Sequence, residues 1–170
     1  MNFTQHVKTL LTLAVLAVLV LIGVTWGWSS LTSPFPHTAS QGPCATTTLQ
    51  PGDRVSAPKV VVSVFNASDR VGLAERTMSE FEDQGFGPGS VGNAPKGTAV
   101  AFAQVWSKNP NDPAVRLVVS RLGKLAHVIK KTHSGPGIIV VVGTRFQKLV
   151  PGLSSVKVVQ PTTVCSPPTG

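Results

Sequence analysis

Apolar residues are concentrated in one long run near the start of the chain and in several short runs in its second half. Residues 10–28 carry almost no polar side chain. A helix of about 20 residues, rising about 1.5 Å per residue, crosses the roughly 30 Å hydrocarbon core of a bilayer. The long run therefore predicts a transmembrane helix over residues 9–28, preceded by a short cytoplasmic N-terminus over residues 1–8.

A cleaved signal peptide is the alternative to this uncleaved anchor. Cleavage requires small residues after a shorter apolar run, whereas Trp26 and Trp28 are bulky. We favour the anchor and leave cleavage open. Lys8 flanks the run on its inner side, and no Lys or Arg follows until Arg54. The positive-inside rule then predicts a single-pass protein of the cell membrane with an extracytoplasmic C-terminal domain.

The second half of the chain alternates between β-branched runs and segments of helical spacing. Residues 59–66 form a continuous apolar run that predicts a buried strand, and residues 137–142 predict a second, central one. Further strands are predicted over residues 90–93, 98–106 and 126–130. In the 98–106 strand we expect Val100, Phe102 and Trp106 to share one face.

Two helices are predicted between these strands. The first has a buried face formed by Val71, Ala74, Met78 and Phe81. Ser68 or Asp69 is expected to cap its start, and Gly85 to follow its end. The second helix spans residues 114–122, with Asp112 as its cap, Pro113 in its first turn and Gly123 at its end.

The resulting order, βαββαββ over residues 58–147, is typical of a two-layer α+β domain with a mixed sheet and two helices on one side. Both flanks of this segment are rich in Pro, Ser and Thr. We therefore predict a linker over residues 29–57 and a Pro-rich tail over residues 148–170.

Charge changes the picture because it is distributed unevenly. The chain has 15 Lys and Arg against 7 Asp and Glu, and a net charge of +8. Most of the acids lie on or beside the first helix, and none follows Asp112. This pattern predicts an anion-binding basic face, formed by Arg116, Arg121, Lys124, Lys130, Lys131 and Arg145.

The expected partner of this basic face is an anionic cell-wall polymer or a lipid-linked envelope component. Nucleic acid is not expected, because the domain is predicted to lie outside the cytoplasm. Two alternatives remain open. The charge serves only solubility near an anionic membrane, or the domain is a protein-interaction module that positions an envelope-assembly enzyme through a sheet edge or the acidic helix face.

The sequence offers no catalytic, cofactor or metal motif, so we do not expect an enzyme. Gly72 is the sole glycine where a dinucleotide-binding loop has three, and no serine has a G-x-S-x-G context. His127 and His133 have no acid or cysteine at ligand spacing. Cys44 and Cys165 flank the folded segment, and outside the cytoplasm we favour a disulfide between them over two free thiols.

Residues 58–146 resemble the LytR C-terminal domain family. The resemblance rests on a valine-rich strand followed by motifs in the family's order: Asn66, Gly72-Leu73-Ala74, Gly85-Phe86 and Asn93-Ala94. It implies that Asn66, Gly72, Leu73, Ala74, Gly85 and Asn93 form a structural turn and helix start. It also implies a non-catalytic protein that supports envelope integrity, because the phosphotransferase domain of many relatives is missing. The layout of the whole chain is similar to that of actinobacterial envelope proteins with a lone domain of this family.

Overall fold

The computed structural model describes residues 13–22, 44–132 and 134–168. The chain divides into two units, Met1–Ala39 and Ser40–Gly170. In the first unit, residues 13–22 form helix α1, whose side chains are exposed. Among the described residues, no helix is both long enough and apolar enough to cross a membrane. The remaining parts of the predicted span, residues 9–12 and 23–28, lie outside the described residues.

The second unit is an α+β domain with a mixed sheet, as the sequence predicts. Its helices are α2 (Leu73–Asp83) and α3 (Pro113–Leu122), with a short 3-10 helix at Ala57–Lys59. Its strands are β1 (Ala45–Leu49), β2 (Arg54–Ser56), β3 (Val61–Asn66), β4 (Gly87–Asn93), β5 (Ala103–Trp106), β6 (Ala126–Ile129), β7 (Ile138–Val142), β8 (Ser155–Lys157) and β9 (Thr162–Ser166).

Five strands form the main sheet in the order β4-β3-β7-β5-β6. Strand β3 runs parallel to β4 and β7, β5 runs parallel to β6, and β5 and β7 are antiparallel. The sheet thus contains two parallel βαβ units, β3-α2-β4 and β5-α3-β6, which point in opposite directions. The predicted βαββαββ order, the central position of β7 and the edge position of β6 are confirmed within the described residues.

The core lies between one face of this sheet and the two helices. Alternate residues of the central strands supply the sheet side, because neighbouring strand residues point to opposite faces. The core residues of this layer include Val62, Val64, Val105, Val140 and Val142 from the sheet, Leu73, Met78 and Phe81 from α2, and Val115, Val118 and Leu122 from α3. A smaller cluster covers the opposite face and contains Phe65, Val100, Trp106, Ile139 and Val141.

Both segments predicted as linker and tail contain strands, and this corrects the sequence interpretation of residues 44–57 and 148–168. Strand β1 pairs antiparallel with β9, and β2 pairs antiparallel with β8. We call these two-stranded pairs the β1–β9 ribbon and the β2–β8 ribbon. Leu49 and Val164 of the β1–β9 ribbon pack in the main core. Each segment is rich in polar residues, and its pairing strand lies about a hundred residues away. The local sequence pattern therefore does not indicate a strand. Residues 29–43 of the predicted linker lie outside the described residues.

Three details of the predicted elements are wrong. Val71 is 95% exposed, because it lies in the turn before α2 rather than on its buried face. The N-cap of α2 is Gly72, with φ of 72° and no side-chain cap, so neither Ser68 nor Asp69 caps it. Phe102 packs against the main core, apart from Val100 and Trp106, because the regular alternation of β5 begins only at Ala103.

Other predicted boundaries are confirmed. Asp112 caps α3 by accepting a hydrogen bond from the Ala114 N–H at 2.8 Å, and Pro113 is the first helical residue. Gly85 follows α2 with φ of 84°, a conformation that favours glycine at helix ends. These features depend on local chemistry, so the sequence alone indicates them.

Candidate functional site

Three lysines meet at the carboxyl ends of the parallel strands β5 and β6. Lys108 lies two residues after β5, and Lys130 and Lys131 directly follow β6. Because parallel neighbouring strands end at the same edge of a sheet, their following loops are brought together. These lysines and Thr132 line a shallow depression of about 250 Å³, which we call the lysine depression.

The backbone and one aromatic ring hold this loop pair in place. The Ser107 N–H donates to the Ile129 carbonyl at 3.1 Å, and the Lys131 N–H donates to the same oxygen at 2.8 Å. The Lys131 ammonium lies 4.1 Å from the centre of the Trp106 ring, a distance suited to a cation–π contact. Trp106 is 3% exposed, and its indole N–H donates to Gln104 Oε1 at 3.0 Å. Lys131 is therefore positioned before any ligand arrives.

Among the residues that the structure describes, no acid lines the lysine depression. The carboxylate in the loop that follows Lys108, Asp112, is engaged elsewhere. Its Oδ1 accepts from the Ala114 N–H, and its Oδ2 accepts from the Thr162 hydroxyl at 2.9 Å. The positive charge of the depression is thus not neutralised by an ion pair within its own lining.

Two of the six predicted basic residues, Lys130 and Lys131, meet in the lysine depression. Lys124 precedes β6 and Arg145 follows β7, which places both at the other end of the sheet because β5 and β7 are antiparallel. The two ends are separated by the length of β5, about 10 Å at about 3.3 Å per residue.

The remaining two predicted basic residues lie on α3. Arg116 is exposed there, and Arg121 donates from Nη2 to the Leu153 carbonyl at 2.7 Å, so it holds the following segment. The sequence analysis missed Lys108, because it took the basic face from the acid-free segment after Asp112 and Lys108 precedes that segment. The order strand–helix–strand predicts a βαβ unit in which β5 and β6 are parallel. That pairing places Lys108, after β5, beside the residues that follow β6.

The family motif forms a second, polar site at the carboxyl ends of β3 and β4. Asn66 and Asn93 are register partners at the ends of these strands. With Gly72 and the intervening loop they line a cavity of about 240 Å³, whose other residues are Ser68, Asp69, Arg70, Val71 and Glu75. Leu73 and Ala74 are buried at the start of α2, whereas Gly85 lies at the far end of that helix.

Hydrogen bonds show that this loop is architectural. Asn66 is 9% exposed, and its Oδ1 accepts from the Ser68 N–H at 2.9 Å and the Ser68 hydroxyl at 2.7 Å. Its Nδ2 donates to the Arg70 carbonyl at 2.7 Å. The Arg70 guanidinium in turn donates to the carbonyls of Thr144 and Phe146. Asn66 therefore shapes the turn, and Arg70 joins the turn to the segment after β7.

The predicted disulfide between Cys44 and Cys165 is confirmed, and it closes a separation of 121 residues. Cys165 lines a third cavity of about 260 Å³ together with Ser107, the residue before Lys108. The start of β3 and the start of β7 line the same cavity through Val61 and Ile138. The disulfide and the lysine depression thus lie at the same end of the sheet.

The acidic residues and histidines of the described segments are dispersed. Among the described residues, no group of three or more His, Cys, Asp or Glu is arranged to hold a metal ion. Glu80 on α2 has a structural contact, since its Oε2 accepts from the Leu149 N–H at 2.7 Å. His127 is exposed on β6, and His133 lies outside the described residues.

Comparison with known proteins identifies the class of this domain. A family model described as LytR cell envelope-related transcriptional attenuator matches residues 59–146, just over half of the chain. The chain belongs to this family, LytR_C, and its folded unit is a cell envelope-related domain. The matched residues include none of the strands of the β1–β9 and β2–β8 pairs.

One solved structure is similar to part of this chain. It is the soluble domain of a conserved hypothetical secreted protein, an Rv2700 ortholog, from Mycobacterium marinum. The two sequences are 22% identical, the alignment covers 61% of this chain and 79% of that chain, and the TM-score is 0.49. No curated protein matches the chain.

Proposed function

We propose that this chain is a non-catalytic, membrane-anchored envelope protein whose extracytoplasmic domain binds an anionic wall polymer or lipid-linked component and thereby supports envelope integrity. The observation that carries the proposal is the lysine depression. Three cations from two separate loops line it without an acid. Long-range attraction to a polyanion needs only such a field of one sign, and neither a deep pocket nor a cofactor is required.

Three observations support the anchored, outward-facing arrangement. The apolar run of residues 10–28 has the length of a membrane span. The distribution of Lys and Arg around it favours a cytoplasmic N-terminus. The disulfide between Cys44 and Cys165 is typical of a domain folded in an oxidising compartment. In layout, the chain resembles the actinobacterial envelope integrity protein Cei.

Polymer binding is tested with the full chain in a neutral detergent. The chain is incubated with immobilised anionic wall polymer and with a neutral glucan of similar length, at about 50 and 500 mM salt. We expect retention on the anionic polymer alone, with strong loss at high salt because the Debye length shrinks to a few ångströms. Equal retention on both polymers, or retention that salt does not change, refutes the electrostatic proposal.

The anchored arrangement is tested by protease accessibility in intact cells that carry a tag at each terminus. An uncleaved anchor with a cytoplasmic N-terminus leaves the N-terminal tag protected and exposes the C-terminal tag to protease. A C-terminal tag that is protected until the cells are lysed contradicts the orientation. Release of the C-terminal fragment without protease shows cleavage in place of anchoring.

A protein-interaction module is the second candidate function, and the edge of the main sheet favours it. Within the described residues, β6 pairs only with β5, so its outer backbone groups have no strand partner. Ile129 on this strand is 37% exposed. An extended peptide can add to such an edge through backbone hydrogen bonds. In-cell crosslinking that yields one dominant protein partner favours this function, whereas diffuse attachment to the wall favours polymer binding.

A further inference from the structure

We propose that the lysine depression is a phosphate-binding subsite, so that the anionic partner is recognised through phosphate rather than carboxylate groups. This inference rests on the proposed function and specifies its ligand chemistry. The residues assigned to the subsite are Lys108, Lys130, Lys131 and Thr132, all exposed at the carboxyl ends of β5 and β6. The phosphate is supplied by a phosphodiester wall polymer or by a lipid headgroup.

The choice of phosphate follows from the side chains that line the depression. An ammonium group is a compact charge whose three donors can point to different acceptors, whereas a guanidinium presents a planar fork to one carboxylate or one phosphate. The described lining of this depression contains three lysines and no arginine. A tetrahedral phosphate presents several oxygens in different directions, so cations from two loops can approach it at once. The Thr132 hydroxyl adds an uncharged donor.

Three backbone N–H groups in or beside the subsite already have partners within the two loops, so we assign recognition to the side chains. The N–H groups of Ser107 and Lys131 both donate to the Ile129 carbonyl. The Asn109 N–H donates to the Ser107 hydroxyl at 3.1 Å. These three amides are not free to bind a phosphate, in contrast to those of a phosphate-binding loop, and we expect affinity to depend on the lysines.

The fluorescence of Trp106 can report directly whether phosphate occupies the lysine depression. Lys131 lies over its ring, and the ring is otherwise buried. A bound phosphate competes with the ring for the Lys131 ammonium, because a full negative charge attracts it more strongly than a ring quadrupole does. Binding should therefore change Trp106 emission. The chain has three tryptophans, and W26F/W28F leaves Trp106 as the sole fluorophore.

The experiment uses the full W26F/W28F chain in nonionic detergent micelles. The probes are poly(glycerol phosphate), mixed micelles that contain phosphatidylglycerol, and polyglutamate of matched charge. The test variant is K108Q/K130Q/K131Q. The matched control, K96Q/K148Q/K157Q, removes the same charge from three exposed lysines outside the depression. Far-UV circular dichroism of both triple variants verifies that they remain folded.

We expect the test variant to bind the phosphate probe at least tenfold more weakly than the parent, and the control to lose less than threefold. The parent should also bind poly(glycerol phosphate) or phosphatidylglycerol at least fivefold more tightly than polyglutamate. Preference for the polymer identifies a wall source, and preference for the mixed micelles identifies a lipid source.

Two outcomes would refute the phosphate subsite and leave the proposed function unaffected. The first is equal weakening in both triple variants, which assigns binding to net charge. The second is polyglutamate binding as tight as phosphate binding, which removes the phosphate preference. A parent chain that binds none of the three probes instead refutes both the subsite and the proposed anionic partner.

Discussion

The ammonium group of Lys131 lies 4.1 Å from the centre of the Trp106 ring. The two residues come from neighbouring parallel strands, Trp106 at the end of β5 and Lys131 just beyond β6. The contact therefore forms only when these strands pair in the observed register, in which Trp106 lies opposite Ile129. The contact connects the lysine depression to the smaller hydrophobic cluster on the sheet face opposite the helices.

Replacing Lys131 with Gln should lower the free energy of unfolding by about 0.5–1 kcal/mol, the usual range of an exposed cation–π contact. The measurement is denaturant unfolding followed by Trp106 emission in the W26F/W28F chain. Lys130→Gln is the control, because it removes the same charge from the adjacent position. Equal destabilisation by the two substitutions would show that the ring contact contributes nothing measurable.

Replacing Asn66 should destabilise the turn between β3 and α2. Asn66→Ala leaves the Ser68 N–H and the Arg70 carbonyl without their shared partner, at a cost of about 1–3 kcal/mol for buried groups. Asn66→Asp keeps the acceptor for Ser68 but places a second acceptor against the Arg70 carbonyl, so we expect no rescue. Thermal unfolding measures both, with Asn93→Ala, at the exposed register partner, as the control. Wild-type stability in Asn66→Asp would contradict the assigned donor.

Gly137 should tolerate no side chain, for a reason beyond its backbone angle. Its φ is +69°, and a Cβ at this position would lie 1.9 Å from the Val61 carbonyl oxygen on the neighbouring strand. Gly97 has a similar φ of +80°, but nothing lies within 4 Å of its Cβ position. Gly97→Ala should therefore cost about 1–2 kcal/mol from left-handed strain alone. Gly137→Ala should cost roughly 3 kcal/mol or more, since overpacking adds to the strain.

The comparison of the two glycine variants is made by chemical denaturation under identical conditions. The difference between them measures the steric contribution, because both positions have the same backbone class. Similar stabilities for the two alanine variants would mean that β3 and β7 separate at Val61 without cost.

Removing the disulfide should destabilise the domain by up to about 5 kcal/mol, the chain-entropy limit for a closed loop of this length. The separation of 121 residues makes the loop long, so its closure restricts the unfolded chain strongly. The melting temperature of the full chain is measured with and without reductant, and for C44S/C165S. The double variant should match the reduced parent and should not respond to reductant. Insensitivity of the parent to reductant would contradict this prediction.

Local patterns determined most of the central domain. Continuous β-branched runs indicated β3 and β7, because strands buried on both sides have few polar positions. Asp112 and Pro113 indicated the start of α3 for local reasons of capping and backbone angle. The same local approach placed Val71 on α2 wrongly, since helical spacing does not reveal that Gly72 adopts a left-handed conformation and starts the helix later.

The sequence by itself determined the order of elements from β3 to β7, the family, and the charge asymmetry that separates acidic α2 from the basic second half. Only the tertiary structure decided which strands pair and which charges meet. The polar segments at residues 45–49 and 162–166 became a ribbon because each satisfies the backbone groups of the other across the chain. Likewise, Lys108 lies with Lys130 and Lys131 at one end of the sheet, and Lys124 and Arg145 lie at the opposite end. Strand direction sets which loops meet, and no local pattern of residues encodes that direction.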